Sequence, residues 1–387
     1  MNPALVQNTG RLINFINGIT GVAAGGNAIV NMPVNVRMHR LVLQCAAVNY
    51  TGGTALATVK ITGAGNNDAT VTPTIVNGVP TAIAVVAGGT GYVTGDTLTF
   101  TDATGTGFVG TVTAAAGVVT AVAVTVAGTA SPVSPATFFS SIQQIVNGVI
   151  IRDISPENIL KIVQAQGYYP SLGELPLLYT TPGRNFVQRN DVTSWDLFGQ
   201  STYSIKMNIS ATVSLPSLVG IQEFDYQRNV KPSADGKSEV PFLEPVSQHQ
   251  FTWPIVSGRN DVTTLPYDFP ITRMWLQGST PGSISQVEVY QDGNKVFEAT
   301  DAQIEQIYQE YGFTFGRPDW FNVTYPTSNA VKAAYNPPAY FDNAFVADPD
   351  GRWSKRLSVA NNLILRVYSD VAQTLTIVQE AMPGQYA

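Results

Sequence analysis

The chain is short of charge, of cysteine and of histidine. Only 12% of its 387 residues are Asp, Glu, Lys or Arg, about half the usual share for a globular protein. A freely diffusing enzyme ordinarily carries more surface charge. Here Gly, Thr, Ser, Asn and Gln fill the gap, and they suit sheets, turns and close packing against neighbours. The net charge is −6, and no run of Lys or Arg occurs. Phosphate contacts need clustered cations, so direct nucleic-acid binding is not expected. The single cysteine, Cys45, excludes an internal disulfide framework and a thiolate metal site. Burial and hydrogen bonds must therefore hold the fold. His39 and His249 stand far apart in sequence, and each is expected as a packed or surface imidazole rather than a ligand.

Targeting and catalytic signatures are missing as well. Residues 1–26 lack a charged segment followed by an apolar one, and Asn14 and Asn17 break the stretch Leu12–Ile19. The uncharged run Ala103–Ile151 is rich in Gly, Thr, Ser and Pro. Its apolar residues alternate with small ones, which reads as strands rather than a membrane helix. No Walker loop, GxSxG elbow or HExxH occurs. Gly105–Gly110 matches GxGxxG literally, but Thr111-Val112-Thr113 continues it as a strand. No helix N-terminus then awaits a pyrophosphate. Asp348-Pro349-Asp350-Gly351 looks like part of a calcium loop, but its Pro and the missing terminal Glu make it a solvated turn. Trp195, Trp253, Trp275, Trp320 and Trp353 are dispersed and expected in cores or interfaces. No catalytic residue, cofactor or metal is expected.

What is present is a repeat. Residues 31–44 align with 264–277 at an offset of 233, with Pro33, Arg40, Leu43 and Gln44 meeting Pro266, Arg273, Leu276 and Gln277. Residues 142–168 align with 287–313 at an offset of 145. There Gly148, Ile159, Ile162, Gln164 and Gly167 meet Gly293, Ile304, Ile307, Gln309 and Gly312. Asn147-Gly148 and Asp292-Gly293 are strong hairpin signals, because a type I′ turn needs positive φ at both central residues. Ser155 and Thr300 are good N-caps. Pro156 takes the first helical position, where its missing N–H costs nothing, and Gln303 completes a capping box with Thr300. The Ile pairs share a helix face, and Gly167 and Gly312 sit where a left-handed C-cap is wanted. Each copy thus reads as strand, hairpin, strand and short helix.

The two offsets, 233 and 145, differ by 88. The second copy crosses the interval from Gln277 to Val287 in a short loop, so the first copy holds an insert at about residues 46–136. Its only charges are Lys60, Asp68, Asp96 and Asp102. It carries its own weaker repeat, Gly78–Gly89 against Gly117–Gly128 at an offset of 39, with TAIAV meeting TAVAV. This predicts short antiparallel strands grown from a surface loop. Further strands are expected within Ser204–Leu218, Leu363–Val367 and Thr374–Val378, and the Pro-rich residues 229–249 read as a linker.

The ordered duplication resembles the double jelly-roll major capsid proteins of tailless, internal-membrane phages and their adenovirus relatives. Three segments carry the resemblance. They are Met32-Pro33 with Arg40–Leu43, its copy Leu265-Pro266 with Arg273–Leu276, and Ile142–Ser155 with its strand, Asn-Gly turn and strand. The insert is longer than the loop usual in that family. The resemblance implies an all-β chain of two tandem eight-stranded jelly rolls, with one short helix in each copy. The expected division is an N-terminal arm 1–27, a first roll 28–228 interrupted by the β-rich insert 46–136, a linker 229–249 and a second roll 250–387. It further implies homotrimers that present pseudo-hexagonal blocks to an icosahedral shell. Neighbouring trimers and other virion proteins, such as penton or minor coat proteins, are the implied partners. The arm would lie low, near a membrane, and the insert would form an outward turret. The implied location is the virion, after synthesis in the host cytoplasm. Gly148, Gly293, Ser155, Thr300, Gly167 and Gly312 are expected only as turn and cap positions. Two other readings stay open at this point: a receptor-binding spike or fibre protein, and a carbohydrate-binding β-sandwich or carbohydrate-active enzyme.

Overall fold

The computed structural model describes residues 11–48, 59–61, 68–76, 78–100, 106–165, 170–179, 194–227, 230–232, 239–241, 247–266, 271–280, 283–300, 303, 339–342 and 362–381. Strands β1 (Leu12–Ile16), β2 (Asn27–Asn31) and β3 (Arg37–Val48) come first. Then follow β4 (Val59–Lys60), β5 (Thr70–Val76), β6 (Val79–Ala87), β7 (Thr97–Leu98), β8 (Val109–Ala115), β9 (Val118–Val126) and β10 (Ser131–Pro132). The chain continues through β11 (Phe139–Val146), β12 (Val149–Ile154), a helix Pro156–Ala165, β13 (Glu174–Leu178), β14 (Trp195–Asp196), β15 (Tyr203–Ile209) and β16 (Ser214–Asp225).

These strands build the first roll. One sheet pairs β1, β16, β3 and β13 in that order, and the facing sheet pairs β2, β15, β11 and β12. Successive long strands cross from one sheet to the other, apart from the hairpin β11–β12, with the short β10 and β14 both added alongside β3, so the first strand meets the last. This is jelly-roll connectivity. Alternation explains the core between the sheets. Tyr203, Ile205, Met207 and Ile209 of β15 point inward and are buried, while Ser204, Lys206 and Asn208 point away.

After the hairpin β17 (Val230–Pro232) and β18 (Glu239–Pro241), the pattern starts again. Strands β19 (Ser247–Ile255), β20 (Gly258–Val262), β21 (Ile271–Gly278), β22 (Ile284–Gln291), β23 (Asn294–Thr300), β24 (Ala339–Asp342), β25 (Leu363–Ser369) and β26 (Gln373–Ala381) form the second roll. Its sheets are β19-β26-β21-β24 and β20-β25-β22-β23, the same order of connections as before.

Strand registers place the repeat in three dimensions. Arg40 stands opposite Glu223 in the first roll, and Arg273 opposite Glu380 in the second. Both hairpins carry positive φ at the two turn residues, +49° and +80° at Asn147-Gly148 and +50° and +82° at Asp292-Gly293. Asn147 Oδ1 accepts the Thr202 N–H at 3.0 Å, and Asp292 Oδ1 accepts the Asn362 N–H at 3.0 Å. Each turn is thus locked by the same side-chain bond, to the residue just before β15 in the first roll and just before β25 in the second.

The rolls do not sit side by side as separate bodies. β12 runs parallel to β19, with Arg152 opposite Gln248 and Asp153 opposite His249. One sheet of the first roll therefore continues into one sheet of the second, giving eight strands in the order β2-β15-β11-β12-β19-β26-β21-β24. Trp275 and Val378, from the second roll, are 2% exposed and pack with the first roll's core cluster.

The insert is two copies of one three-stranded unit, β4-β5-β6 and β7-β8-β9. β5 and β6 map onto β8 and β9 at the offset of 39, and the register shifts in each hairpin fall at matching positions. Thr81 Oγ1 donates to Thr74 O at 3.2 Å, and Thr120 Oγ1 to Thr113 O at 3.1 Å. A separate apolar cluster that includes Ile61, Tyr92, Leu98, Phe108 and Val112 holds the units, and Val48 at the end of β3 joins it. Ser131 and Pro132 pair with Ala47 and Ala46, so the insert leaves the roll through a two-stranded neck.

Three expected boundaries move. The arm 1–27 includes a strand of the roll, because β1 pairs with β16 and tucks Leu12 and Ile16 against the core. β3 runs on to Val48, beyond the expected insert limit at 46, because the β16 and β10 ladders reach that far. β19 starts at Ser247, within the expected linker, because pairing with β26 begins at that residue. The region assigned to the second copy's helix lies outside the described residues except Gln303. Gly167 and Gly312, Trp320 and Trp353, and 348–351 also lie outside them.

Candidate assembly surfaces

The junction between the rolls holds a heavily buried polar cluster. β12 carries Arg152 at the seam, 3% exposed. Its Nη2 donates to Leu178 O at 2.8 Å, and the guanidinium lies 5.6 Å from the Tyr179 ring centroid and 5.5 Å from that of Trp195. Gln144 Nε2 donates to Tyr179 Oη, which also hydrogen-bonds Tyr203 Oη. Across the seam Glu380 Oε1 accepts from Trp275 Nε1 at 2.9 Å and from Gln248 Nε2 at 2.8 Å. Burial lowers the Arg152 pKa, while the two tyrosines and Glu380 favour its charged form. Burial likewise pushes Tyr179 up to about 12. The cluster is a clamp with no reactive member: its phenols stay protonated and its carboxylate is hydrogen-bonded.

The first turn of the helix reaches the same seam. Ser155 N and Asn158 Nδ2 both donate to Gln250 Oε1, at 2.9 and 3.0 Å. Ser155 also caps the helix, since its Oγ accepts from Asn158 N at 3.4 Å. In the second copy Thr300 and Gln303 exchange reciprocal bonds, at 3.0 and 3.3 Å, the geometry of a capping box. Gly148 and Gly293 sit at hairpin tips, with open space where a side chain would begin.

A second buried cluster adjoins the first at the start of β3, where Met38 stands opposite Trp195 and His39 O accepts from Tyr179 N. Arg37 grips Asp225 through two bonds of 3.0 and 2.6 Å, and His39 Nε2 approaches the same carboxylate at 2.8 Å. Burial works against the Asp225 charge, but bonds from His39, Arg37 and the Gln227 N–H outweigh it and hold the pKa at about 2. His39 is thus part of a structural ion cluster. His249, on β19, is opposite Asp153 at the seam.

The outer sheet faces of the two rolls differ in chemistry at equivalent rows. In the second roll Asp261, Arg366, Glu288 and Glu298 stand opposite one another across four strands. Arg366 bonds Asp261 at 2.7 Å and Glu288 at 3.1 Å, and Lys295 bonds Glu288 and Glu298 at 3.1 and 2.9 Å. Hydrogen bonds from Arg259 and Arg366 hold Asp261 well below the usual carboxylate range. The corresponding row in the first roll is Ile29, Lys206, Gln143 and Asp153. Such a network orders a surface more than it stabilises it.

Among the described residues no group of His, Cys, Asp and Glu has the arrangement of a metal site, and no helix is long and apolar enough to cross a membrane. Burial pushes the Cys45 thiol up to about 12, which leaves it unreactive. The structure describes Gly148 and Gly293 at turns and Ser155 and Thr300 at caps, and sequence reasoning missed Arg152, Gln250 and Glu380. The alignment that pairs Arg40 with Arg273 was the available signal for Glu380, since each Arg faces a Glu on the last strand of its roll.

Connectivity and sheet order define the class: a double jelly roll. Comparisons with known proteins agree. Residues 246–323 match the family model described as viral coat protein P2 C-terminal domain. The chain is similar in structure to the major capsid protein P2 from bacteriophage PM2. The TM-score is 0.57 at 13% identity, covering 97% of this chain and 98% of that one. It is also similar to the STIV MCP, with a TM-score of 0.50 at 10% identity, covering 97% of this chain and 98% of that one. No curated protein sequence matches the chain.

Proposed function

We propose that this chain is the major capsid protein of an icosahedral virion, a structural protein that works by self-association. One observation carries the reading: two rolls with the same strand order are fused through a single eight-stranded sheet. Such a chain presents two similar building faces per protomer, so three copies supply six. The coat-protein match over residues 246–323 supports the same reading. So does the sparse charge of 12%, because much of the surface of a shell protein becomes interface.

In this reading the protomers form homotrimers with a pseudo-hexagonal outline, and the trimers tile a shell with pentons or minor coat proteins at its special positions. The insert stands outward as a turret on its two-stranded neck. The residues before β1 lie low, against neighbours or an underlying membrane. Turn and cap positions Gly148, Gly293, Ser155, Thr300, Gly167 and Gly312 serve folding, not chemistry. Nothing on the described surface favours the spike or carbohydrate readings.

The test is light scattering of the purified full chain, followed by electron microscopy. Expected are particles of about three times the 41.4 kDa chain mass with a hexagonal outline. A folded chain that stays monomeric at micromolar concentration would overturn the proposal.

A further inference from the structure

The chain closes two sheet edges against each other and leaves their counterparts open. At the seam, β12 of the first roll pairs in parallel with β19 of the second. β23 is the copy of β12 at the offset of 145, because both form the second arm of the hairpin. β1 is the counterpart of β19. Ile13 faces Glu223 as Gln248 faces Glu380, and Asn14 faces Gln222 as His249 faces Gln379. Among the described residues, β1 and β23 each have a single strand neighbour. Open edges of this kind are templates for another chain.

The sheet face beside β1 points the same way. Phe15, Ile221, Val42 and Pro176 stand opposite one another across four strands of the first roll. The matching row in the second roll is Gln250, Val378, Trp275 and Tyr340. Within the chain that second row is covered: Val378 and Trp275 pack into the first roll's core, and the turn after β12 hydrogen-bonds Gln250. The first row is more apolar; its Val42 and Pro176 are buried within the chain, but at its β1 end Phe15 is 66% exposed, with Ile13 at 64% and Val219 at 40% beside it. An exposed apolar patch of this kind marks an interface.

We propose that a second copy of this chain covers it, using the open edge of its own second roll. β23 of one protomer lies parallel to β1 of the next, placing Glu298 opposite Asn14 and Phe297 opposite Ile13. This repeats between chains the junction that β12 and β19 make within one. Three protomers then close a ring of six like junctions, three within chains and three between them. The inference rests on the capsid reading and names its contact.

A cysteine pair tests the register. Asn14→Cys with Glu298→Cys is placed in the full chain carrying Cys45→Ser, and the protein is oxidised under native conditions. Both positions are exposed, so the fold is expected to tolerate them, and circular dichroism checks it. Expected are covalent dimers and trimers on a non-reducing gel, with more than half of the chain linked. Each single variant, and Val76→Cys with Glu298→Cys, should give less than a tenth of that. In parallel, Phe15→Glu should raise the trimer dissociation constant at least tenfold. Trimers that form without the cross-link and tolerate Phe15→Glu overturn the edge pairing and leave the capsid reading standing. Folded, permanently monomeric wild-type chain overturns both.

Discussion

Arg152 shows why a charge is kept in the seam. It makes three contacts at once, with a carbonyl on one side and two aromatic faces on the other, while Glu380 approaches from the second roll. Arg152→Ala should remove the bond to Leu178 and leave a cavity beside Trp195. A loss of about 2–3 kcal/mol is expected in urea unfolding, from the value of a hydrogen bond to a buried charge. Trp195 is fully buried, so Trp195→Ala should cost about 3–5 kcal/mol by the same measurement. Asp225 supplies a pH signature. Its pKa falls from 3.8 to about 2 on folding, so its contribution is complete above 3.8 and is lost as pH drops through 2. The shift corresponds to about 2 kcal/mol. Acid titration of stability should show this limb in the wild type and lack it in Asp225→Asn.

At the scale of elements, hairpins set the register of each roll. The tips at Gly148 and Gly293 have φ of +80° and +82° with open space around them. The cost of a side chain there is therefore conformational rather than steric. Gly148→Ala and Gly293→Ala should each lose about 1–2 kcal/mol, with nearly equal shifts in the urea midpoint if the two copies are equivalent. β3 is the element that does most. It pairs with β16, β13, β14 and β10 along its length, so it joins the roll's core to the neck of the insert. The insert's units repeat on their own period of 39, down to the Thr81 and Thr120 hydroxyl bonds. This is the arrangement expected of a body that folds around its own apolar cluster.

At the scale of the molecule, the neck decides what can be removed. Ala47 stands opposite Ser131, so joining Val48 to Ser131 through a short Gly/Ser turn closes the first roll without strain. Deleting residues 49–130 in this way should leave trimers intact by light scattering and the melting temperature within a few degrees, because loop length costs little. Loss of folding on this deletion would show that the insert is part of the roll's core. The seam gives the molecule its second property. A continuous sheet fixes the angle between rolls, which a flexible linker would not do. A fixed angle is what repeated junctions need to close into a ring rather than an open filament.

The sequence alone determined the duplication, the place of the insert and the turns, because each is a local signal. Asn-Gly and Asp-Gly demand positive φ wherever they stand, and alternation sets which side chains face inward. Ser155, Thr300 and Gln303 announced caps for the same reason. The open patch beside β1 was not legible, because Leu12–Ile16 reads as a broken apolar stretch until β16 pairs with it and divides it into half-buried Leu12 and Ile16 and exposed Ile13 and Phe15. Nor was the parallel pairing of β12 with β19, in which Arg152 meets Gln248 from the other roll. Pairing between distant strands leaves no periodic mark on either one. Only the tertiary structure decided that the two units share a sheet, and so which edges and faces of the repeat are closed within the chain and which are left for another copy.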